Sequence, residues 1–396
     1  MSILPLTGAI RPYAWGSRTA LAGLQGRPVP SESPEAELWL GAHPGDPSTV
    51  TGPDGPASLT DLIAADPAGQ LGEPVAAEFD GRLPYLMKVL AADAPLSLQA
   101  HPDAAYARAA YARQMADPDA PRIYTDPHHK PEVLVALTPF DALCGFRAPQ
   151  VSAAVLEEMA LPQLAPVVAA LRAGPVGLRD AVQTLLTWPV ADRPALIEAV
   201  VGAALTVADD HRYAGEFALA AGLAEHYPGD PGVLVSLLLN HVRLAPGEAI
   251  WMPAGNLHAY LKGTGVEIMA ASDNVLRGGL TPKRVDVDEL LRVLRFEVLS
   301  EPVQSFTEVA PGVVTWPVPV REFELYRVTL DGAPVTPPVG GPRIVLGVRG
   351  EVTVAGRSPD ATAVAVTPGA AAYAPAAAGP ITLSGVGEAF VATAAQ

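Results

Sequence analysis

Apolar positions along the chain come first in short runs cut by turn residues, then at helical spacing, then in short runs again. In the first part AELWLGAHP, LPYLMKVL and PEVLVALTPF are rich in Leu and Val and closed by Gly or Pro, as buried strands are. SLTDLIAAD and AAYARAAYARQMA carry helical spacing within that part. Beyond it, VSAAVLEEMALPQLAPVVAALRAG, GLRDAVQTLLTWP, PALIEAVVGAALTVA, YAGEFALAAGLAEHYP and GVLVSLLLNHVRL repeat apolar residues with a helical period between Gly and Pro breaks. Strand signals resume in LAPGEAIWMPAGNLHAYLKGTGVEIMAAS. A short helix is expected over TPKRVDVDELLRVLRFE, and FELYRVTL, RIVLGVRGEVTV, AVAVTPGAAAYAPA and EAFVATA read as strands. The expected fold class is mainly β with an α insertion. Residues 1–148 and 244–310 would form a first β-barrel, 149–243 an inserted helical domain, and 311–396 a second barrel.

An internal repeat supports the second barrel. Pro246-Gly247-x-Ala249-x-Trp251-x-Pro253-Ala254 aligns without gaps on Pro368-Gly369-x-Ala371-x-Tyr373-x-Pro375-Ala376. A shared turn, an aromatic residue and a closing Pro at equal spacing point to two copies of one unit. The copies differ chemically, because His258 aligns with Pro380 and no histidine follows it. The first copy is expected to carry the site, and the second to be a metal-free scaffold.

Composition narrows the function classes. With 42 Asp and Glu against 26 Lys and Arg the net charge is −16, which argues against nucleic acid or an anionic membrane as partner. An anionic small substrate would need a local cluster of cations. One cysteine, Cys144, excludes an internal disulfide and fits a reducing compartment. No signal-peptide pattern opens the chain, and no apolar run approaches the ~20 residues of a membrane helix. The expected setting is cytoplasmic, and the chain is read as a monomer.

Candidate chemistry begins at LSLQAHPD, residues 96–103. On a strand, side chains at i and i+2 leave the same face, so Gln99 and His101 project together before Pro102 ends the ladder. An amide oxygen and an imidazole there suit a metal if partners come from elsewhere. GEAIWMPAGNLH, residues 247–258, has the form G-x5-P-x-G-x2-H and resembles the second motif of cupin barrels, in which the turn aims the histidine inward. Lys262 stands where an Asn is usual. Glu132, in DPHHKPEVLVAL, is the best candidate for the carboxylate.

YAWGS, ELWLGAHP, LSLQAHPD, HHKPE, PAGNLHAY and ASDNVLRGGLTPK follow one another in the order of the type I phosphomannose isomerases. The resemblance runs from residue 11 to about 295 and loosely to the end. It implies two cupin-like jelly rolls and one zinc ion held by Gln99, His101, Glu132 and His258. Two imidazoles, a carboxylate and an amide oxygen form a borderline N/O set that zinc accepts with a position left open. The resemblance also implies a catalytic Arg277 and a Lys130 that lines the site. Lys130, two residues before Glu132, would share its face.

The reaction so implied is the interconversion of mannose 6-phosphate and fructose 6-phosphate through a cis-enediolate, with a small sugar phosphate as the only partner. Glu267, Lys130, His129 and Asp273 are candidates for the base, and the residues do not separate them. Lys283 and Arg284 are the choice for attracting phosphate. Two other readings remain open at this stage: an iron-dependent cupin oxygenase with a 2-His-1-carboxylate triad, and a sugar-binding cupin without turnover.

Overall fold

The structure, a computed structural model, describes residues 2–53, 55–119, 121–208, 210–357 and 363–395. Positions 358–362, assigned to the second barrel by the pattern, lie outside them.

Two antiparallel systems of strands form the framework. In the first, Val303–Gln304, Ala249–Met252, Glu132–Ala136, His258–Ala270, Tyr85–Ala92, Glu37–Gly41 and Ala9–Arg11 lie side by side in that order. The same strand His258–Ala270 also pairs with Leu98–Ala100 and Phe140–Phe146, so it belongs to both walls of the barrel. It changes neighbours at Gly263. There Lys262 still faces Asp141, whereas Gly263 already faces Ala92. Gly263 has φ +130°, and a Cβ on it would come within 2.7 Å of the Phe140 ring and the Pro139 carbonyl, so only glycine fits the bend.

In the second system the order is Thr307–Ala310, Val313–Thr315, Glu324–Asp331, Ile381–Thr393, Arg343–Gly356, Ala371–Ala374, Leu4–Thr7, Thr49–Gly52 and Gly55–Ser58. This corrects the expected boundary. Residues 1–148 do not all join the first barrel, because Leu4–Thr7 pairs with Ala371–Ala374 and brings Thr49–Gly52 and Gly55–Ser58 with it. The edge of Ala371–Ala374 needs a partner for its backbone N–H and C=O groups. Alternation in sequence shows which face of a strand is buried but not whose edge it joins.

Between Phe146 and Leu239 the chain is helical, with helices at Pro149–Glu158, Ala165–Arg172, Pro175–Leu186, Arg193–Ala204, Ala214–His226 and Gly232–Ser236. The helical reading of GVLVSLLLNHVRL holds only to Ser236, since Leu239–Leu244 is a strand paired with Phe140–Phe146. A continuous apolar run fits both periods, and tertiary pairing decides.

The internal repeat is built into both systems. Pro246-Gly247 and Pro368-Gly369 are turns with φ +91° and +77° at the glycines. Each leads into a strand of 4 residues and then one of 13 residues. The two systems pack face to face. Met87, Val89, Val133, Val266 and Ile268 of the first share one core with Ile344, Leu346, Tyr373 and Phe390 of the second. Tyr85 bridges them, its hydroxyl donating to the carbonyls of Pro342 and Ala392. Tyr373 therefore lies between the barrels, fully buried, and donates to the Gln70 carbonyl at 3.2 Å. Tyr373→Ala is expected to cost about 3–5 kcal/mol of unfolding free energy. Tyr373→Phe loses only the hydroxyl bond and should cost about 1 kcal/mol. Urea denaturation checks both, and equal midpoints for the two variants would show that the ring carries no packing.

Candidate metal centre and active site

The first barrel is buried on both faces, so its strands sort side chains by alternation. In Tyr85–Ala92 every residue is buried. Met87, Val89 and Ala91 enter the core between the barrels, while Leu86, Lys88 and Leu90 line a cleft of about 630 Å³ inside the first. The same rule turns Glu37, Trp39, Glu132, Glu267 and Met269 inward.

His101, Glu132 and His258 meet below this cleft. His258 Nε2 lies 3.1 Å and His101 Nε2 3.4 Å from the same oxygen, Glu132 Oε2. One ligand atom from each of the three lies within 4.8 Å of the others. All three residues are at most 1% exposed, and none of these three atoms has a hydrogen-bond partner. Backbone carbonyls set the tautomers. His101 Nδ1 is 2.7 Å from the Asn274 carbonyl and His258 Nδ1 is 3.0 Å from that of Asn256. A carbonyl only accepts, so each Nδ1 carries the proton and each Nε2 presents a lone pair. Two lone pairs and a carboxylate oxygen thus face one another in a dry site, which is unfavourable without a cation. A divalent ion such as zinc suits this donor set.

Protonation is consistent with that arrangement. Burial and then Lys130 push the His101 imidazole down to about 4, keeping it neutral. Burial opposes charge on Glu132 most strongly, yet Lys130, His101 and His258 together outweigh it and hold the carboxyl well below its ordinary range.

Gln99 and Arg277 complete the row. Gln99 sits opposite His258 on one side and opposite Arg277 on the other, so all three share a face. Arg277 is half-buried, burial lowers its pKa, and among the described residues it has no hydrogen-bond or ion-pair partner. Cys144, opposite His258 across the other neighbouring strand, is held as a thiol by burial, which raises it to about 12.

A second buried network flanks His101, Glu132 and His258. Lys88 Nζ lies 3.1 Å from Glu267 Oε2 and 3.5 Å from Glu37 Oε1. Tyr260 donates to Glu267 Oε1 at 2.6 Å, and Trp39 Nε1 donates to Glu37 at 2.7 Å. Lys130 pairs with Glu132. Three carboxylates against two ammonium groups leave a surplus negative charge in the wall. Burial accordingly raises the Glu267 carboxyl, against the opposing pull of Lys88. Burial works against charge on Lys88 too, but Glu267, Glu37 and Glu132 raise its pKa well above the ordinary lysine value.

The other expected residues are placed less uniformly. Asp273 sits half-exposed at the cleft rim, 3.4 Å from His43 Nε2. Lys283 is exposed at the mouth of the cleft. Arg284 is exposed and is not among the residues lining the cleft. His129 is a correction: its Nε2 turns away to Glu322, at 2.6 Å, and it does not line the cleft. Residues 128–131 run into Pro131 without strand geometry, so alternation says nothing about where His129 points. Lys88, Glu37, Trp39 and Tyr260 were not singled out by the sequence reading. The signal was present for Lys88, the lone charge in an apolar strand.

Residues 3–149 match the family model described as "Phosphomannose isomerase type I, catalytic domain". The chain is 36% identical over 404 residues to mannose-6-phosphate isomerase of Escherichia coli (strain K12), covering 96% of this chain and 97% of that one. It is 33% identical over 359 residues to mannose-6-phosphate isomerase of Homo sapiens, covering 84% and 83%. A variant of phosphomannose isomerase from Salmonella typhimurium superposes with TM-score 0.92 at 33% identity, covering 100% of both chains. A mannose 6-phosphate isomerase crystallised with zinc and yttrium superposes with TM-score 0.90, again at 33% identity and 100% of both chains. The chain belongs to the type I mannose-6-phosphate isomerases, aldose–ketose isomerases built on the cupin fold.

Proposed function

We propose that the cleft interconverts mannose 6-phosphate and fructose 6-phosphate by proton transfer between carbons 1 and 2, with one zinc ion held by Gln99, His101, Glu132 and His258. The observation that carries this reading is the convergence of three buried, unpartnered acceptor atoms, with both imidazole tautomers fixed, at Glu132 in the wall of a cleft that Arg277 and Lys283 also line. A zinc ion so held supplies Lewis-acid polarisation and a template for the sugar oxygens.

The remaining work falls to side chains of the cleft. A proton on a carbon beside a carbonyl is weakly acidic, so an enediolate must be stabilised as it forms. Arg277, desolvated and unpaired, is suited to face that oxyanion with its planar fork. Glu267 is the base: it is buried in the cleft wall, and a carboxyl raised by burial is better matched to accepting and returning a proton near neutral pH. Tyr260 and Lys88 hold its two oxygens in place. Lys130 keeps Glu132 ionised as a ligand, Asp273 closes the rim, and Lys283 attracts the phosphate. Lys88 and Lys130 are paired with carboxylates, which leaves Arg277 and Lys283 as the cleft cations available to an anionic sugar in a protein of net charge −16, and that pair favours such a substrate over the oxygenase reading.

Two tests follow. His101→Ala and His258→Ala should each lose most of the bound zinc and nearly all turnover, because too few strong ligands remain. Elemental analysis showing stoichiometric zinc in both variants would rule out the ligand set. Arg277→Lys should lower kcat about 10²–10³-fold with KM almost unchanged, the pattern of a contact made in the transition state. Lys283→Ala should instead raise KM for the phosphorylated sugar and weaken inhibition by inorganic phosphate. If Arg277→Lys altered only KM while Lys283→Ala altered only kcat, steady-state kinetics would reverse the two assignments.

A further inference from the structure

The segment that follows Arg277 runs Gly278-Gly279-Leu280-Thr281-Pro282-Lys283 and forms one side of the cleft mouth. Its backbone is unusual at Leu280, a branched residue at φ +53°, in the left-handed region that side chains avoid. Such a conformation persists only where its surroundings impose it. Here they come from the helical insertion. Asp230, between helices Ala214–His226 and Gly232–Ser236, accepts from Leu280 N at 2.9 Å with Oδ1 and from Thr281 N at 3.1 Å with Oδ2. Oδ1 also accepts from Gly232 N at 2.7 Å, which ties the carboxylate to its own turn. Thr281 Oγ1 in turn accepts from Lys283 N at 3.1 Å, so the chain of bonds reaches Lys283.

The backbones meet as closely as glycine permits. A Cβ on Gly279 would lie 2.6 Å from Gly232 Cα, and one on Gly232 would lie 2.6 Å from Leu280 N. Three residues before Asp230, Tyr227 donates to the Pro95 carbonyl at 2.6 Å, and Pro95 also lines the cleft, just before the strand Leu98–Ala100 that pairs with Leu276–Gly279. One turn of the insertion therefore holds both of these neighbouring segments.

We propose that Asp230 is a positioning residue that clamps the Leu280–Lys283 backbone, and thereby sets Arg277 and Lys283 for the sugar phosphate. This rests on the function proposed above for those two side chains. The inserted helices are then part of the active site's construction. An isosteric amide at 230 offers one acceptor oxygen in place of two and turns an N–H₂ toward an N–H, so one side of the clamp opens.

The test uses the full zinc-loaded chain with Asp230→Asn and, as the conservative variant, Asp230→Glu. Hydrogen–deuterium exchange should speed up about 10- to 100-fold in the 276–284 segment of Asp230→Asn, as expected for losing bonds to a charged acceptor. Segments containing Gln99 and His258 should keep their wild-type rates, and zinc content should not change. In the same variant kcat/KM for mannose 6-phosphate should fall at least about tenfold, with KM rising, and Asp230→Glu should recover part of both losses. Unchanged exchange in 276–284, unchanged kinetics, or acceleration spread evenly over the chain would each overturn the proposal. If Asp230→Asn does not fold, Asp230→Glu carries the same two readouts. Exchange needs no substrate, so it decides the clamp even where wild-type protein fails to isomerise mannose 6-phosphate, a result that would count against the proposed function alone.

Discussion

Three acceptor atoms, His101 Nε2, His258 Nε2 and Glu132 Oε2, point at one another in the buried floor of the first barrel. Most of what surrounds them serves to make that costly arrangement tenable. The Asn274 and Asn256 carbonyls take the Nδ1 protons and so turn the lone pairs inward. Lys130 keeps Glu132 ionised against burial. The charge that remains in the wall is negative in sum, which invites a cation, and burial leaves Glu267 with a raised affinity for protons.

The strand His258–Ala270 connects these demands. It carries one imidazole at its start and Glu267 near its end, and it bends between them at Gly263, where it leaves one wall for the other. The second strand system repeats the turn, the short strand and the 13-residue strand, with Pro380 aligned on His258. It serves the first barrel through packing. Ile344, Leu346 and Phe390 back the strands whose other faces bear Lys88, Glu132 and Glu267. A strand buried on both faces has few alternative registers, because a slip by one residue would put charge into that core.

An acidic protein that takes an anionic sugar must concentrate its cations. Lys88, Lys130, Arg277 and Lys283 come from three separate segments, and their convergence in one cleft is a product of the fold. Two of them stand on the segment that the helical insertion grips through Asp230. The insertion thus contributes to the site without supplying any of the proposed catalytic groups.

Local patterns in the sequence determined the class of fold, the repeat and the helical segments, while the proposed metal ligands followed from the resemblance to the type I phosphomannose isomerases. Alternation places Gln99 with His101, and the Pro-x-Gly turn aims His258. Both are effects of neighbouring residues and are readable from spacing. Lys88 stands out as the lone charge of its strand, but a strand buried on both faces shows no alternation, so LPYLMKVL does not tell which wall Lys88 faces. His129 could not be separated from the other base candidates because the residues before Pro131 have no strand geometry, and its contact with Glu322 is a product of the fold. The edge joined by Leu4–Thr7, and the grip of Asp230 on Leu280, link positions 367 and 50 residues apart or nearly so. Backbone bonds and close approaches of that kind carry no local signature, and only the tertiary structure decided them.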